Sequence, residues 1–278
     1  MSKMLRVGKI TYANCTPIFD GLEHMNLPYV EIVTGVPSEL NQALANGEID
    51  VCISSSIEYP RHADDYLILP DFCIGSDGPV ESVLFFSQIP IEQLEGQEIL
   101  VTSESATSVI LLQILLKKHF GLENVSVRST KLPFYEALSE SKGVLVIGDT
   151  ALKAYLNKPT HATCYDLGEL WKKYTGLPFV YALWLVNKKS ARVSSELLSQ
   201  FVRALHLVHQ QMEKDIVGIA TRAIERSWIP SDRLVQYWSQ AIQYRLLPPF
   251  VSGLERFYCD AATLGYIETK PKLQFIPE

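Results

Sequence analysis

The stretch YVEIVTGVPSELNQALANGEIDVCISSS, Tyr29 to Ser56, decides how this chain is read. YVEIVTG is rich in β-branched residues and reads as a strand. In VPSELNQALANG, Pro37 suits a first helical turn, Leu40, Ala43 and Leu44 share a face, and Gly47 supplies a stop. IDVCISSS is apolar until its serines, as expected of a strand covered on both faces. Strands alternating with helices predict a mainly parallel sheet.

The same alternation extends outward. LRVGKITY, ending at Tyr12, is an earlier strand that breaks at Asn14-Cys15-Thr16-Pro17. SVLFFSQIP, VSVRST, GVLVIGD and the long LPFVYALWLVN read as further strands, and VILLQILLKKHF as an apolar helix. After Asn187 the pattern turns helical. SSELLSQFVRALHLVHQQM carries Leu197, Leu198, Phe201, Leu205, Val208 and Met212 at helical spacing, and IPSDRLVQYWSQAI and GLERFYCDAATLGYI follow. The expected fold class is α/β with two lobes. Residues 1–86 plus 182–278 would form lobe one, and 87–181 an inserted lobe two. A ligand would sit in the cleft between them, where strand ends and helix starts converge.

Composition narrows the partners. The 278 residues are 47% hydrophobic and 20% charged, with a net charge of -6 and no basic run. Nucleic acid is therefore not an expected partner, since phosphates demand clustered Lys and Arg. Five cysteines without C-x-x-C fit reduced thiols. MSKMLRVGKITY lacks an apolar core of signal length, and VILLQILLKKHF is broken by Gln113 and two lysines, too short to span a bilayer. The expectation is a cytoplasmic protein with no membrane partner.

Four polar clusters follow strands: Asn14-Cys15-Thr16, Ser54-Ser55-Ser56, IGSDGPVES (which contains Ser76 and Ser82) and TSESATS (which contains Thr107 and Ser108). They are rich in hydroxyls and amides and poor in charge. That chemistry suits an anion held by backbone N–H groups and hydroxyls at helix starts. Taken alone, SATS is better explained by plain helix capping, and the anion reading rests on the recurrence of four such clusters after strands. Gly148-Asp149 could line a cleft or cap the next helix. The six histidines show no metal or triad setting, and His206 and His209 read as a solvated or packed pair. No metal site, P-loop or G-x-G-x-x-G is present, and no nucleophile stands out.

As an ordered series, these clusters carry a resemblance. Gly8-x-x-x-Tyr12-x-Asn14-x-x-Pro17 is followed by GVPSELNQALANGEIDVCISSSIEY, IGSDGPVESVLFFS, TSESATSVILLQILL, VIGDTAL, YDLGELW and TGLPFVYALW. The series resembles the chorismate dehydratases of the futalosine route to menaquinone. The resemblance implies a periplasmic-binding-protein type II fold used in the cytoplasm, with no cofactor. The implied substrate is chorismate, which loses water to give 3-[(1-carboxyvinyl)oxy]benzoate. It further implies Asn14 and Ser82 as catalytic residues, with Tyr12, Ser54, Ser56, Ser76, Thr107, Ser108, Gly148 and Asp149 around the substrate. Two alternatives remain. A sister enzyme of the same fold makes dihydroxynaphthoate, but it opens with a Ser-x-Cys-Pro-Asn-Asp pattern and carries a His-Glu pair where this chain has Gly148-Asp149. A non-catalytic binding protein for a small carboxylate is the other.

Overall fold

The structure, a computed structural model, describes residues 4–277. The deciding stretch folds as its residues dictate. After β1 (Leu5–Ile10) and α1 (Thr16–Met25) come β2 (Val30–Gly35), α2 (Pro37–Asn46) and β3 (Val51–Ser55). Pro37 opens α2, and Gly47 closes it at φ 73°, its N–H reaching the Ala43 and Leu44 carbonyls. Leu40 and Leu44 are the buried face. β1 pairs in parallel with both β2 and β3.

Next come α3 (Glu58–Arg61), β4 (Tyr66–Ser76), β5 (Val83–Ser87), β6 (Glu98–Thr102), α4 (Ala106–Ile114), β7 (Ser126–Thr130), α5 (Phe134–Glu140) and β8 (Gly143–Ile147). They are followed by α6 (Gly148–Leu156), β9 (Thr163–Asp166), α7 (Leu167–Thr175) and β10 (Phe179–Asn187). The terminal region holds α8 (Lys188–Val193), α9 (Ser195–Arg222), α10 (Ser231–Gln236), β11 (Gln243–Arg245) and α11 (Pro248–Thr263).

The strands form two sheets, ordered β11-β4-β10-β3-β1-β2 and β7-β6-β8-β5-β9. Both are mixed, which corrects the expectation of a mainly parallel sheet. β10 runs antiparallel to β3, and β5 runs antiparallel to both β8 and β9. Parallel pairing is found within the βαβαβ runs, as in β6 with β7 and β8.

By its contacts the chain divides into two units. The first is Met1–Ile74, Ala182–Leu246 and Pro271–Glu278, and the second is Gly75–Tyr181 and Leu247–Lys270. The sequence places the first crossing near Phe86 and all terminal helices in lobe one. In the structure the crossing lies before Gly75, because β5 is the centre of the second sheet's antiparallel pairs. α11 also belongs to the second unit. A side chain on Gly253 would place its Cβ 2.0 Å from the Pro178 carbonyl oxygen, so this helix packs directly against the turn that leads into β10.

The second unit's core includes Leu84, Phe86, Leu100, Leu138, Val144 and Ala151, all buried. α4 buries Ile110, Leu111, Leu112 and Ile114, which explains its nearly continuous apolar sequence. No helix among the described residues is long and apolar enough to cross a membrane.

Candidate active site

In the first unit, β1 and β3 are neighbouring parallel strands, with Gly8 opposite Cys52. Stepping two residues along this register brings Ser54 level with Ile10, so the Asn14 turn and the serines of β3 share the carboxyl edge of the sheet. That edge is where open α/β sheets bind ligands. The Asn14 turn closes on itself. Cys15 N–H donates to Tyr12 O at 2.9 Å, and Thr16 N–H to Ala13 O at 3.3 Å. These backbone donors are spent, so the start of α1 offers no such anion cradle.

What fixes this turn comes from far along the chain. Trp238 Nε1 donates to Ala13 O at 2.7 Å, Tyr244 Oη to Asn14 O at 2.9 Å, and Thr16 Oγ1 to Glu225 Oε1 at 2.6 Å. Three successive features of the turn are thus pinned by the segment after α9. Trp238, Tyr244 and Glu225 are all buried. Burial also pushes the Tyr244 phenol well above its ordinary pKa, so it stays a donor. With its backbone held, Asn14 is half-buried, and its carboxamide Oδ1 is shielded from solvent without a hydrogen-bond partner. Ser54 is 1% exposed, and its Oγ has no nitrogen or oxygen partner, only the weak Cys52 thiol beside it. Tyr12 is half-buried and Ser56 fully buried. Buried polar atoms without partners are rare enough to require an explanation.

In the second unit, β5 is antiparallel to β8 with Val83 opposite Ile147, so Ser82 faces the start of α6. Gly148 N–H donates to Ser82 O at 2.8 Å. β6 is parallel to β8, so the starts of α4 and α6 lie at the same edge of this sheet. Ser82, Thr107, Ser108, Gly148 and Asp149 are therefore brought to one edge. Ser82, Thr107 and Ser108 are buried, Ser82 Oγ donating to Val80 O at a long 3.3 Å.

Two expected residues spend their polar groups locally. Ser105 caps α4, its Oγ accepting from Ser108 N–H at 3.2 Å with the Ser108 hydroxyl 3.0 Å away, so that N–H is not free for a ligand. Ser76 Oγ donates to Gly78 O at 2.9 Å and lies 3.3 Å from Tyr181 Oη. Asp149 is the second residue of α6 rather than its cap.

Sequence reading passed over Asp166, which organises this edge. One carboxylate oxygen accepts from Val80 N–H at 2.9 Å and Glu81 N–H at 2.7 Å, and the other from Gly168 N–H at 2.9 Å and Glu169 N–H at 3.2 Å. It thus caps α7 and at the same time holds the loop just before Ser82. Within that loop Glu81 sits at φ 61°, a conformation unfavourable for a side-chain-bearing residue unless its surroundings impose it. Gly168 permits the close approach, since a Cβ there would lie 2.4 Å from Gly78 O. Burial pushes the Asp166 pKa up to about 6, with the four N–H bonds pulling it the other way. The signal in the sequence is Asp166-Leu-Gly-Glu before a helix, which reads only as a cap.

Thiol chemistry is disfavoured. Burial pushes Cys52 up to about 12 against a weaker pull from Ser54, raises Cys73 further, and raises Cys164 to about 11. His209 is buried, with its ring 4.8 Å from Phe72 and 6.0 Å from Tyr244, while the exposed His206 lies 3.8 Å from Asp71. They form one packed and one solvated residue. Among the described residues, no group of three or more His, Cys, Asp or Glu side chains is arranged to hold a metal ion.

A family model described as menaquinone biosynthesis matches residues 5–263. The chain is 31% identical over 265 residues to the chorismate dehydratase of Thermus thermophilus, covering 90% of this chain and 93% of that one. It is 32% identical over 199 residues to the chorismate dehydratase of Campylobacter jejuni, covering 70% and 72%. In structure it resembles the periplasmic aliphatic sulphonate binding protein SsuA of Escherichia coli, with a TM-score of 0.70 at 11% identity over 100% of this chain and 93% of that one. That likeness speaks to fold alone, an α/β fold of the periplasmic-binding-protein kind. The family match, in contrast, runs from the first strand to the end of α11, through both polar edges and the segment that pins Asn14, and the chain belongs to the menaquinone biosynthesis family.

Proposed function

We propose that this protein is a hydro-lyase that removes water from chorismate to give 3-[(1-carboxyvinyl)oxy]benzoate, with Asn14 and Ser82 as the groups that touch the reacting part of the substrate. The observation that carries the proposal is the carboxamide of Asn14. It has an open, solvent-shielded acceptor on a turn held by three partners, a costly arrangement unless a ligand completes it. The chorismate dehydratases of Thermus thermophilus and Campylobacter jejuni supply the substrate.

The reaction suits such uncharged groups. A proton leaves the ring carbon that bears the enolpyruvyl ether, and hydroxide leaves from the neighbouring carbon. The new π bond makes the ring aromatic, and the proton and hydroxide together are the water released. Aromatisation supplies the driving force, so the protein's task is to hold a flexible dianion in one conformer. Positioning of that kind is worth up to about 7–11 kcal/mol. A carboxamide has no protonation equilibrium near neutral pH and so is not the base. Asn14 orients the substrate and hydrogen-bonds the departing hydroxyl or a carboxylate, and Ser82 shares that work. The substrate's own enolpyruvyl carboxylate takes the ring proton.

Ser54, with its open hydroxyl, is the next substrate contact, followed by Tyr12 and Ser56. Thr107 and the hydroxyl of Ser108 contribute to a carboxylate site in the second unit. Gly148 and Asp149 stand beside Ser82, and Ser76 supports the loop before it. The reaction takes place in the cytoplasm.

Incubation with chorismate, followed in the ultraviolet, tests the reading. The expected result is a new benzoate chromophore with release of one water per substrate. Saturable binding of chorismate without conversion would overturn it in favour of a non-catalytic binding protein, and conversion undiminished in Asn14→Ala would remove Asn14 from the mechanism.

A further inference from the structure

The first unit contains a cavity of about 560 Å³ where α8, the start of α9, β4 and the C-terminal segment meet. Its volume falls within the range typical of small-ligand sites, about 300–1,000 Å³. Asn14, Ser54 and the other expected site residues do not line it. Its apolar wall includes Leu67, Leu198 and Ile276, and its charged groups are Lys188 and Arg192, one turn apart on α8. No acidic residue is among the described residues that line it. Lys188 Nζ donates to the Ala63 carbonyl at 2.9 Å and has no carboxylate partner among the described residues, and Arg192 has no ion pair there.

Both cations thus stand at the cavity with no acidic residue beside them among the described lining residues. The helix start adds to them. Ser195, the first residue of α9, lines the cavity, yet α9 has no side-chain cap. Ser194, in the capping position, is 4% exposed, and its hydroxyl is buried without a partner instead of serving the helix. The first-turn N–H groups of a helix left uncapped favour an anion.

We infer that this cavity binds a small organic anion with an apolar body, an aryl or alkyl carboxylate or sulfonate, at a site distinct from Asn14. Arg192 and Lys188 take the anionic group at the start of α9, and Leu67, Leu198 and Ile276 cover the apolar part. An inorganic anion would leave that apolar wall unused.

The test is a fluorescence titration of the full chain with 8-anilinonaphthalene-1-sulfonate, with benzoate and benzyl alcohol as competitors and melting curves as the check on folding. The expected result is one saturable site from which benzoate, and not benzyl alcohol, displaces the probe. Arg192→Glu reverses the charge on an exposed side chain and should weaken the probe at least tenfold. Ala191→Trp fills the cavity without altering charge and should abolish the same site, while Asn14→Ala leaves it intact. Binding unchanged in both Arg192→Glu and Ala191→Trp would overturn the inference. Binding lost in Ala191→Trp but kept in Arg192→Glu would overturn its anionic part. If one of the two variants fails to fold, the other decides alone.

Discussion

In the first unit the turn at Ala13 to Thr16 offers its carbonyls and a hydroxyl outward, and three side chains from residues 225–244 take them up one by one. In the second unit the loop before Ser82 offers N–H groups, and the single carboxylate of Asp166 takes two of them together with two from the start of α7. The first arrangement is distributed over neutral aromatic donors and one acid. The second is concentrated in one charge. Loss of any one tether should therefore loosen the Asn14 turn by degrees, whereas loss of Asp166 should release the Ser82 loop at once. The distributed mount also leaves the Asn14 carboxamide open, while Ser82 keeps a weak bond of its own to Val80.

The sharpest way to break this comparison is at the carboxamide itself. Asn14→Ala should lower turnover by about 10²–10³-fold, the usual cost of removing one well-placed polar group at a reacting centre. Stability should hardly change, because the three tethers reach Ala13 O, Asn14 O and Thr16 Oγ1, all of which survive the substitution. Ser82→Ala should lower turnover less and leave the melting temperature similar. Steady-state kinetics with chorismate and a thermal melt give both numbers. A parallel fall in turnover and melting temperature for Asn14→Ala would make it a structural residue.

Next in size is Asp166→Asn. The amide keeps the shape but turns one acceptor into a donor, which then faces two N–H groups. Two charge-assisted bonds are lost, partly offset because a charge is no longer buried, for a net cost of about 2 kcal/mol. Turnover should fall together with stability, since the hydrogen bond that helps to hold Glu81 at φ 61° is weakened. Tyr244→Phe removes one tether out of three, and should cost about 1 kcal/mol of stability and less than tenfold in turnover. If Tyr244→Phe proved as damaging as Asp166→Asn, the distinction between distributed and concentrated mounts would fail.

Much of this architecture was legible in the sequence. Pro37, Leu40, Leu44 and Gly47 mark α2 by rules local to a dozen residues, and the structure places each in its expected role. The polar clusters at strand ends were visible because serines, amides and glycines interrupt apolar runs. The anchors were not. Trp238 and Tyr244 lie 225 and 230 residues from their acceptors, and in their own segment they read simply as core. Only the rule that a buried indole or phenol needs a partner for its polar end hints at more. Asp166 reads as a cap because one of its oxygens is a cap, and its other oxygen serves a loop 85 and 86 residues away. Strand direction is hidden for a related reason: periodicity reports which faces are covered, and it is silent on whether β10 and β5 return parallel or antiparallel. α11 shows an amphipathic pattern that fits either unit, and its tertiary contacts, such as Gly253 against Pro178 and Phe257 against Trp171, fix where it packs.

The smallest expected net effect is that of acid on the wild type, because here the contributions of the two units should oppose each other. Burial pushes the His209 pKa down to about 4, so the native first unit resists a proton that the unfolded chain accepts near 6.5. Its contribution to stability is complete above about pH 6.5 and is lost as pH falls toward 4. Asp166 behaves in the reverse sense. With a native pKa of about 6 against 3.8 unfolded, it takes up a proton in the folded protein first, so acidification through pH 6 stabilises the fold relative to the unfolded chain, and that gain disappears as pH rises through 6. Each shift is about two units, on the order of 3 kcal/mol, and over pH 6.5 to 4.5 they largely cancel. The single substitutions uncover them. His209→Gln should make the melting temperature rise relative to the wild type as pH falls across this window, and Asp166→Asn should make it fall more steeply. A carboxyl resonance titrating near pH 6 in the wild type and missing in Asp166→Asn assigns the second half directly. If both variants tilt the same way, the opposition is wrong. If Asp166 instead titrates below 4, its four N–H bonds outweigh its burial, and the Ser82 loop is then held by a carboxylate that stays charged throughout the working range of the enzyme.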